Sequence, residues 1–129
     1  MIKQLSIFLE NKPSSLAKIM GEIAEAGINI MALSVADTAD FGILRIIVDE
    51  PDKALEIVRQ HGYIARVTDV MAVRIEHRPG ALAEVLRKIS DAGGQVEYMY
   101  ASVSGGGEAL AIMSVSGSER LRSLESTFS

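Results

Sequence analysis

Residues 10–19 read ENKPSSLAKI, and residues 76–85 read EHRPGALAEV. The second phrase lies 66 residues after the first, as Pro79 lies after Pro13, and the match extends to both sides without a gap. Glu10 meets Glu76, Leu16-Ala17 meets Leu82-Ala83, and Ala26-Gly27 meets Ala92-Gly93. Further on, Leu44 and Ile46 meet Leu110 and Ile112, and Leu55 meets Leu121. Self-similarity at a fixed offset marks two copies of one supersecondary unit. The chain must therefore fold the same way twice, and two copies are too few for a solenoid.

The shape of each copy follows from its hydrophobic period. Leu5, Ile7 and Leu9 alternate with Gln4, Ser6 and Glu10, as Met71, Val73 and Ile75 do with their neighbours, which is strand period. After each Pro the period changes. Leu16, Ile19, Met20 and Ile23 recur at helical spacing, as do Leu82, Val85, Leu86 and Ile89. Ser14 or Ser15 is placed to cap the first helix, and Gly27 and Gly93 are stop signals. The runs 28–35 and 96–103 are β-prone. Turns at 37–40 and 104–107 lead into strands near 42–48 and 109–115. Helical runs start near Asp52 and Ser118, and 63–70 reads as a strand. The order βαββαβ predicts an α+β protein of two ferredoxin-like units side by side, residues 1–69 and 70–129. By the offset, the last strand of the second unit would begin at residue 129, so that unit lacks it. The stretch 63–76 has no turn signal. It reads as one long strand ending the first copy and opening the second; alternatively, another chain supplies the pairing that the second unit lacks.

Composition excludes several classes. Aromatic residues are scarce and Trp is absent, so the core is aliphatic. The formal charge of −4 lacks the basic footprint of nucleic-acid binding. No apolar run reaches the roughly 20 residues needed to span a bilayer. The N-terminus MIKQLSIFLEN has no signal-peptide pattern. Without cysteine there are no disulfides and no zinc–thiolate sites. A cytoplasmic protein without metal or cofactor, and with neither nucleic-acid nor membrane partners, is expected.

A βαββαβ unit with E-x-[KR]-P-[GS]-x-L-A at its first junction, and A-G-I-N-I entering its second strand, resembles the ACT domain. ENKPSSLAKIMGEIAEAGINI and EHRPGALAEVLRKISDAGGQVEYMY both carry the pattern, with Gly94-Gln95 replacing Ile-Asn in the second. The resemblance covers nearly the whole chain, twice. It implies a small-molecule regulatory module, mostly for amino acids, whose units pair through their second strands. It further implies ligand sites between the first loop of one unit and the second strand of the other. One site would join Asn11, Lys12, Pro13, Ser14, Ser15 and Leu16 to Gln95, Val96 and Tyr98. The other would join His77, Arg78, Pro79, Gly80, Ala81 and Leu82 to Asn29, Ile30 and Met31. Serine-binding ACT domains carry Asn at the places of Asn11 and Asn29. The second copy departs from this with His77 and Gln95, so the two sites differ in chemistry.

The junction chemistry agrees with that implication. A helix N-terminus presents free N–H groups and a positive dipole end, which suit an α-carboxylate. Pro fixes the turn's φ, and Gly80 permits a positive φ and a close approach. Asn and Gln carbonyls accept from a ligand ammonium. The Gly80 loop, facing Asn29, is expected to be the better of the two sites. Plainer roles compete: Ser14 or Ser15 as a cap, Asn29 as a turn residue, His77 as a solvated loop residue, and Lys12 and Arg78 as surface cations. Met31, Met99 and the Tyr98-Met-Tyr100 cluster suit packing. Residues 104–107, Ser-Gly-Gly-Gly, are a hairpin turn, since no Gly-Lys-Ser/Thr or helix follows.

Enzymatic chemistry finds no foothold. His61 and His77 lie in different elements, and His61 in Gln60-His-Gly62 reads as a helix C-terminal residue. Glu10 and Glu76 are repeat equivalents, not an acid–base pair. The expectation is a non-catalytic amino-acid sensor, a homodimer, with an amino-acid biosynthetic enzyme as a further partner. The alternative is a ligand-free interaction module or regulatory subunit of an amino-acid metabolic enzyme.

Overall fold

The computed structural model describes residues 1–37, 41–103 and 108–117. Its chain divides into two compact units, Lys3–Thr68 and Asp69–Ser129, the latter joined by Met1–Ile2. The elements run β1 (Ile2–Glu10), α1 (Ser15–Glu25), β2 (Ile30–Asp37), β3 (Phe41–Val48), α2 (Pro51–Gln60), β4 (Ile64–Glu76), α3 (Ala81–Asp91), β5 (Gln95–Val103) and β6 (Glu108–Ser116). The N-terminal unit is thus βαββαβ. The stretch without a turn signal is one strand of 13 residues that runs from the first unit into the second. The C-terminal unit shows β-α-β-β. The helix expected from Ser118, residues 38–40 of the first expected turn, the turn at 104–107 and position 129, where the missing strand would have begun, lie outside the described residues.

In the N-terminal unit the strand order is β2-β3-β1-β4, and in the C-terminal unit it is β4-β6-β5. β3 pairs antiparallel with both β1 and β2, and β6 with both β4 and β5. Among the described residues, β2 and β5 each have one neighbouring strand.

Each unit has its own aliphatic core. Leu5, Ile7 and Leu9 on β1 and Leu44, Ile46 and Val48 on β3 pack with Ile19 and Ile23 of α1 and Ala54 and Val58 of α2. In the second unit, Met71, Val73 and Ile75 pack with Val85 and Ile89 of α3 and with Ala111 and Met113 of β6. These helices form because one stripe of their residues is apolar and the sheet offers it a dry surface. α2 begins with Pro51, which suits a first helical position, and its Asp52 in the first turn and Arg59 in the last are each matched to the local end of the helix dipole. Gln4 and Ser6, on the polar side of the β1 alternation, are buried as well, with Gln4 Nε2 donating to Ser6 Oγ at 3.3 Å.

The gap-free repeat needs one correction. Asp37 pairs with Gly42, but its counterpart Val103 pairs with Ala109. The second hairpin therefore carries one extra residue, and β6 corresponds to β3 at an offset of 67. Ala111 and Met113, not Leu110 and Ile112, take the places of Leu44 and Ile46 in the core. A one-residue slip moves every strand side chain to the other face. The apolar run 109–113, Ala-Leu-Ala-Ile-Met, tolerates it because residues of both parities are apolar.

Candidate functional site

The two Pro loops are built alike from their own residues. The Lys12 N–H donates to the Glu10 carbonyl at 2.8 Å, and that of Arg78 to the Glu76 carbonyl at 2.9 Å. The Ser15 and Ala81 N–H groups then donate to the carbonyls of Lys12 and Arg78 at 3.2 and 3.3 Å. Across each turn the cation meets the carboxylate two residues before it: Lys12 Nζ lies 2.7 Å from Glu10 Oε2, and Arg78 Nε lies 2.8 Å from Glu76 Oε2. Arg78 also reaches Glu84 Oε2 at 3.0 Å. The hydrogen bond from Lys12, and then its charge, hold the Glu10 carboxyl below its usual range. Glu84 and Glu76 hold Arg78 above its own. Both cations are surface residues, and each is already matched to turn carboxylates.

The loops differ where Ser14 stands opposite Gly80. Gly80, at the N-cap of α3, has φ +88°, a left-handed conformation that glycine adopts without a Cβ penalty. Ser14, at the N-cap of α1, has φ −109° and ψ −1° and makes no side-chain cap bond. Neither Ser14 nor Ser15 therefore plays the capping role expected of the pair. The near-helical ψ of Ser14 departs from the extended conformation that aims a cap oxygen at the helix N–H groups.

The second strands supply the other candidate residues. The backbone of Asn29 is tied to Asp49: its N–H donates to Asp49 Oδ1 at 3.0 Å, and its carbonyl accepts from the Asp49 N–H at 3.2 Å. Its residue surface is exposed. The register of β2 shifts between Ile30 and Ala32, and that of β5 shifts between Val96 and Tyr98. The repeat-equivalent residues Met31 and Glu97 thus sit at a bulge in each copy. Bulges re-aim side chains and recur beside binding sites. Met31 is 56 % exposed and lies outside the core, whereas Met99 lies against the second core. Gln95 is exposed, and Ile30, Val96 and Tyr98 are half-buried. Asn11, Pro13, Leu16, His77, Pro79 and Leu82 are exposed, and Ala81 is buried. Within the N-terminal unit stand Asn11 to Leu16 and Asn29 to Met31; within the C-terminal unit stand His77 to Leu82 and Gln95 to Tyr98.

A cleft of 470 Å³ opens at the first Pro loop, within the N-terminal unit. Lys12, Ser14, Ser15 and Lys18 line one side, and His61 to Ile64 line the other. Beside it an apolar hollow of 480 Å³ shares Phe8, Glu10 and Ile64, and adds Leu9 and Phe41. The Phe8 and Phe41 rings meet edge-on, 5.6 Å apart. His61 does end α2, its N–H donating to the Ile57 carbonyl at 3.1 Å. Its ring has a further contact: Nδ1 lies 2.9 Å from Glu22 Oε2. That oxygen is buried. The Tyr63 hydroxyl donates to Glu22 Oε1 at 3.2 Å. Burial, and then Glu22, push the Tyr63 phenol above its ordinary value. Sequence reading left out His61, Tyr63 and Glu22 because their meeting joins α1 to the end of α2 across 41 residues of chain.

Among the described residues no group of three or more His, Asp or Glu is placed to hold a metal. No helix among them is long and apolar enough to cross a membrane.

A family model for an ACT domain pair matches residues 1–125. The chain belongs to the ACT domain family. This ACT pair is similar to protein BT0572 from Bacteroides thetaiotaomicron, at 38 % identity and a TM-score of 0.91, over 98 % of this chain and 87 % of that one. It shares its fold with the ligand-free regulatory subunit of aspartate kinase from Thermus thermophilus, at 19 % identity and a TM-score of 0.70 over 98 % and 93 % of the two chains. The regulatory subunit of aspartate kinase from Thermus flavus stands close behind, at 17 % identity and 0.69 over 98 % and 89 %. A search of curated protein sequences returned no match.

Proposed function

We propose that this ACT pair is a non-catalytic regulatory module that binds an amino acid at its Pro loops. The observation that carries the reading is the doubled junction: one turn, hydrogen-bonded in the same way twice, delivers the chain into the N-terminus of α1 and again of α3. The unpaired N–H groups at such a terminus suit an α-carboxylate. Asn29 and Gln95, on the second strands, provide uncharged acceptors for the ammonium group. In this reading Asn11 to Leu16 serve with Gln95, Val96 and Tyr98, and His77 to Leu82 serve with Asn29 to Met31. Among the described residues the bulged strands β2 and β5 each have one strand neighbour; in this reading a second copy of the chain supplies the pairing and the protein works as a homodimer. Domain limits near residues 69 and 70 and a cytoplasmic location accompany the proposal.

A thermal-shift screen against the proteinogenic amino acids tests it. At least one should raise the melting temperature in a saturable way, and Asn29→Ala or Gln95→Ala should weaken that shift. No shift at millimolar concentration for any amino acid would sink the proposal.

One observation favours a second reading. Met31, Leu33 and Val35 on the β2 edge are 56, 50 and 47 % exposed. An apolar edge of this kind also suits an interaction module. The partner would then be an amino-acid metabolic enzyme, as the fold shared with aspartate kinase regulatory subunits suggests.

A further inference from the structure

The cleft at the first Pro loop has a chemistry that the amino-acid reading does not use. Its polar half is rich in hydrogen-bond donors. Lys18, exposed on α1, and Lys12 are ammonium groups, and Ser14 makes no cap bond. The His61 ring spends Nδ1 on the buried Glu22 oxygen 2.9 Å away. Glu10 is the lone carboxylate lining this cleft, and Lys12 already pairs with it at 2.7 Å. The other half is apolar: Phe8, Phe41 and Ile64, the last 73 % exposed. An exposed isoleucine beside two aromatic rings is a surface that gains by being covered.

We propose that this cleft, formed by the N-terminal unit alone, binds a small 2-oxo acid with an apolar tail. A carboxylate and its neighbouring carbonyl are acceptors only, which matches a wall of Lys18 and serine hydroxyls. An α-ammonium group brings three more donors and a positive charge into a site already cationic, so the parent amino acid is disfavoured there. The tail lies against Phe8, Phe41 and Ile64. The combined hollows fall within the volume range of small-molecule sites. The cleft shares Lys12, Ser14 and Ser15 with the amino-acid reading, but it replaces the second strand with the α2–β4 turn.

Calorimetric titration of the full chain with phenylpyruvate, pyruvate and phenylalanine tests this. Phenylpyruvate should bind at least about tenfold more tightly than phenylalanine at this cleft, and Lys18→Gln should weaken it by about tenfold. Ile64→Ser should weaken phenylpyruvate and leave pyruvate unchanged. Lys18 and Ile64 are exposed, so both variants keep the fold. Absence of phenylpyruvate binding up to about 10 mM overturns the proposal. So does phenylpyruvate binding that Lys18→Gln and Ile64→Ser leave unaltered, or phenylalanine binding as tightly and responding to the same two variants. Amino-acid binding without 2-oxo-acid binding defeats this inference alone. The reverse result defeats the amino-acid reading alone.

Discussion

Glu10 and Lys12 face each other at 2.7 Å across the first Pro loop, and the same pair recurs as Glu76 and Arg78 at 2.8 Å. The first and third positions of the E-x-[KR]-P motif are therefore bonded to each other. Both pairs are solvent-exposed, and exposed ion pairs add little to stability. Their main effect is local: they hold the turn that leads the chain into a helix N-terminus. Replacing Glu10 by Gln should leave global stability nearly unchanged, while raising the salt sensitivity of ligand binding at this loop. Denaturant melts and titrations at low and high salt check both parts.

Gly80 carries the left-handed turn of the second loop at φ +88°. A Cβ there meets open space, so the cost of Gly80→Ala is conformational and not steric crowding. It should destabilise the chain by about 1–2 kcal/mol. Ser14→Gly, at φ −109°, should change stability by only a few tenths of about 1 kcal/mol, because no cap bond is lost. Urea unfolding of the two variants gives the comparison.

Tyr63 links stability to alkaline pH. Its phenol is pushed above the ordinary value of 10.0, first by burial and then by Glu22. A raised folded-state value means that the folded protein holds this proton more tightly than the unfolded chain. The stabilisation is full below the unfolded value and is lost as pH rises through the folded one. Melting temperature should therefore fall more steeply above about pH 10 in the wild type than in Tyr63→Phe. At neutral pH, Tyr63→Phe should cost about 1 kcal/mol, the net worth of one hydrogen bond.

The β2 edge offers a test of self-association. Leu33 and Val35 are half-exposed on a strand with one neighbour among the described residues. Leu33→Glu with Val35→Glu should keep the fold and convert the proposed dimer to monomer, as read by sedimentation. A wild-type chain that is already monomeric at working concentration would contradict the dimer.

Much of the fold was legible in the sequence because two periods alternate cleanly. Leu5-Ile7-Leu9 has strand spacing, Ile19-Met20-Ile23 has helix spacing, and no turn residue interrupts 63–76. The extra residue in the second hairpin was hidden because 109–113 is apolar at every position, so either register looks buried. The bulges at Met31 and Glu97 have no sequence signature, since they arise from pairing with β3 and β6. The Pro loops could be located from their motif. The cleft's other wall could not, because His61 reads as a helix end and its contact with Glu22 is set by how α1 and α2 pack. Ser14 was misleading for a related reason: a serine before a helix suggests a cap, and here the backbone angle denies it.

Backbone amide NMR of the full chain, titrated with each amino acid in turn, tests the central claim most directly. The expected result is saturable shifts for at least one amino acid, concentrated at residues 11–16 or 77–82 and at the second-strand segments 29–31 or 95–98. Shifts for none of them, or shifts confined to residues away from both Pro loops, would contradict the account.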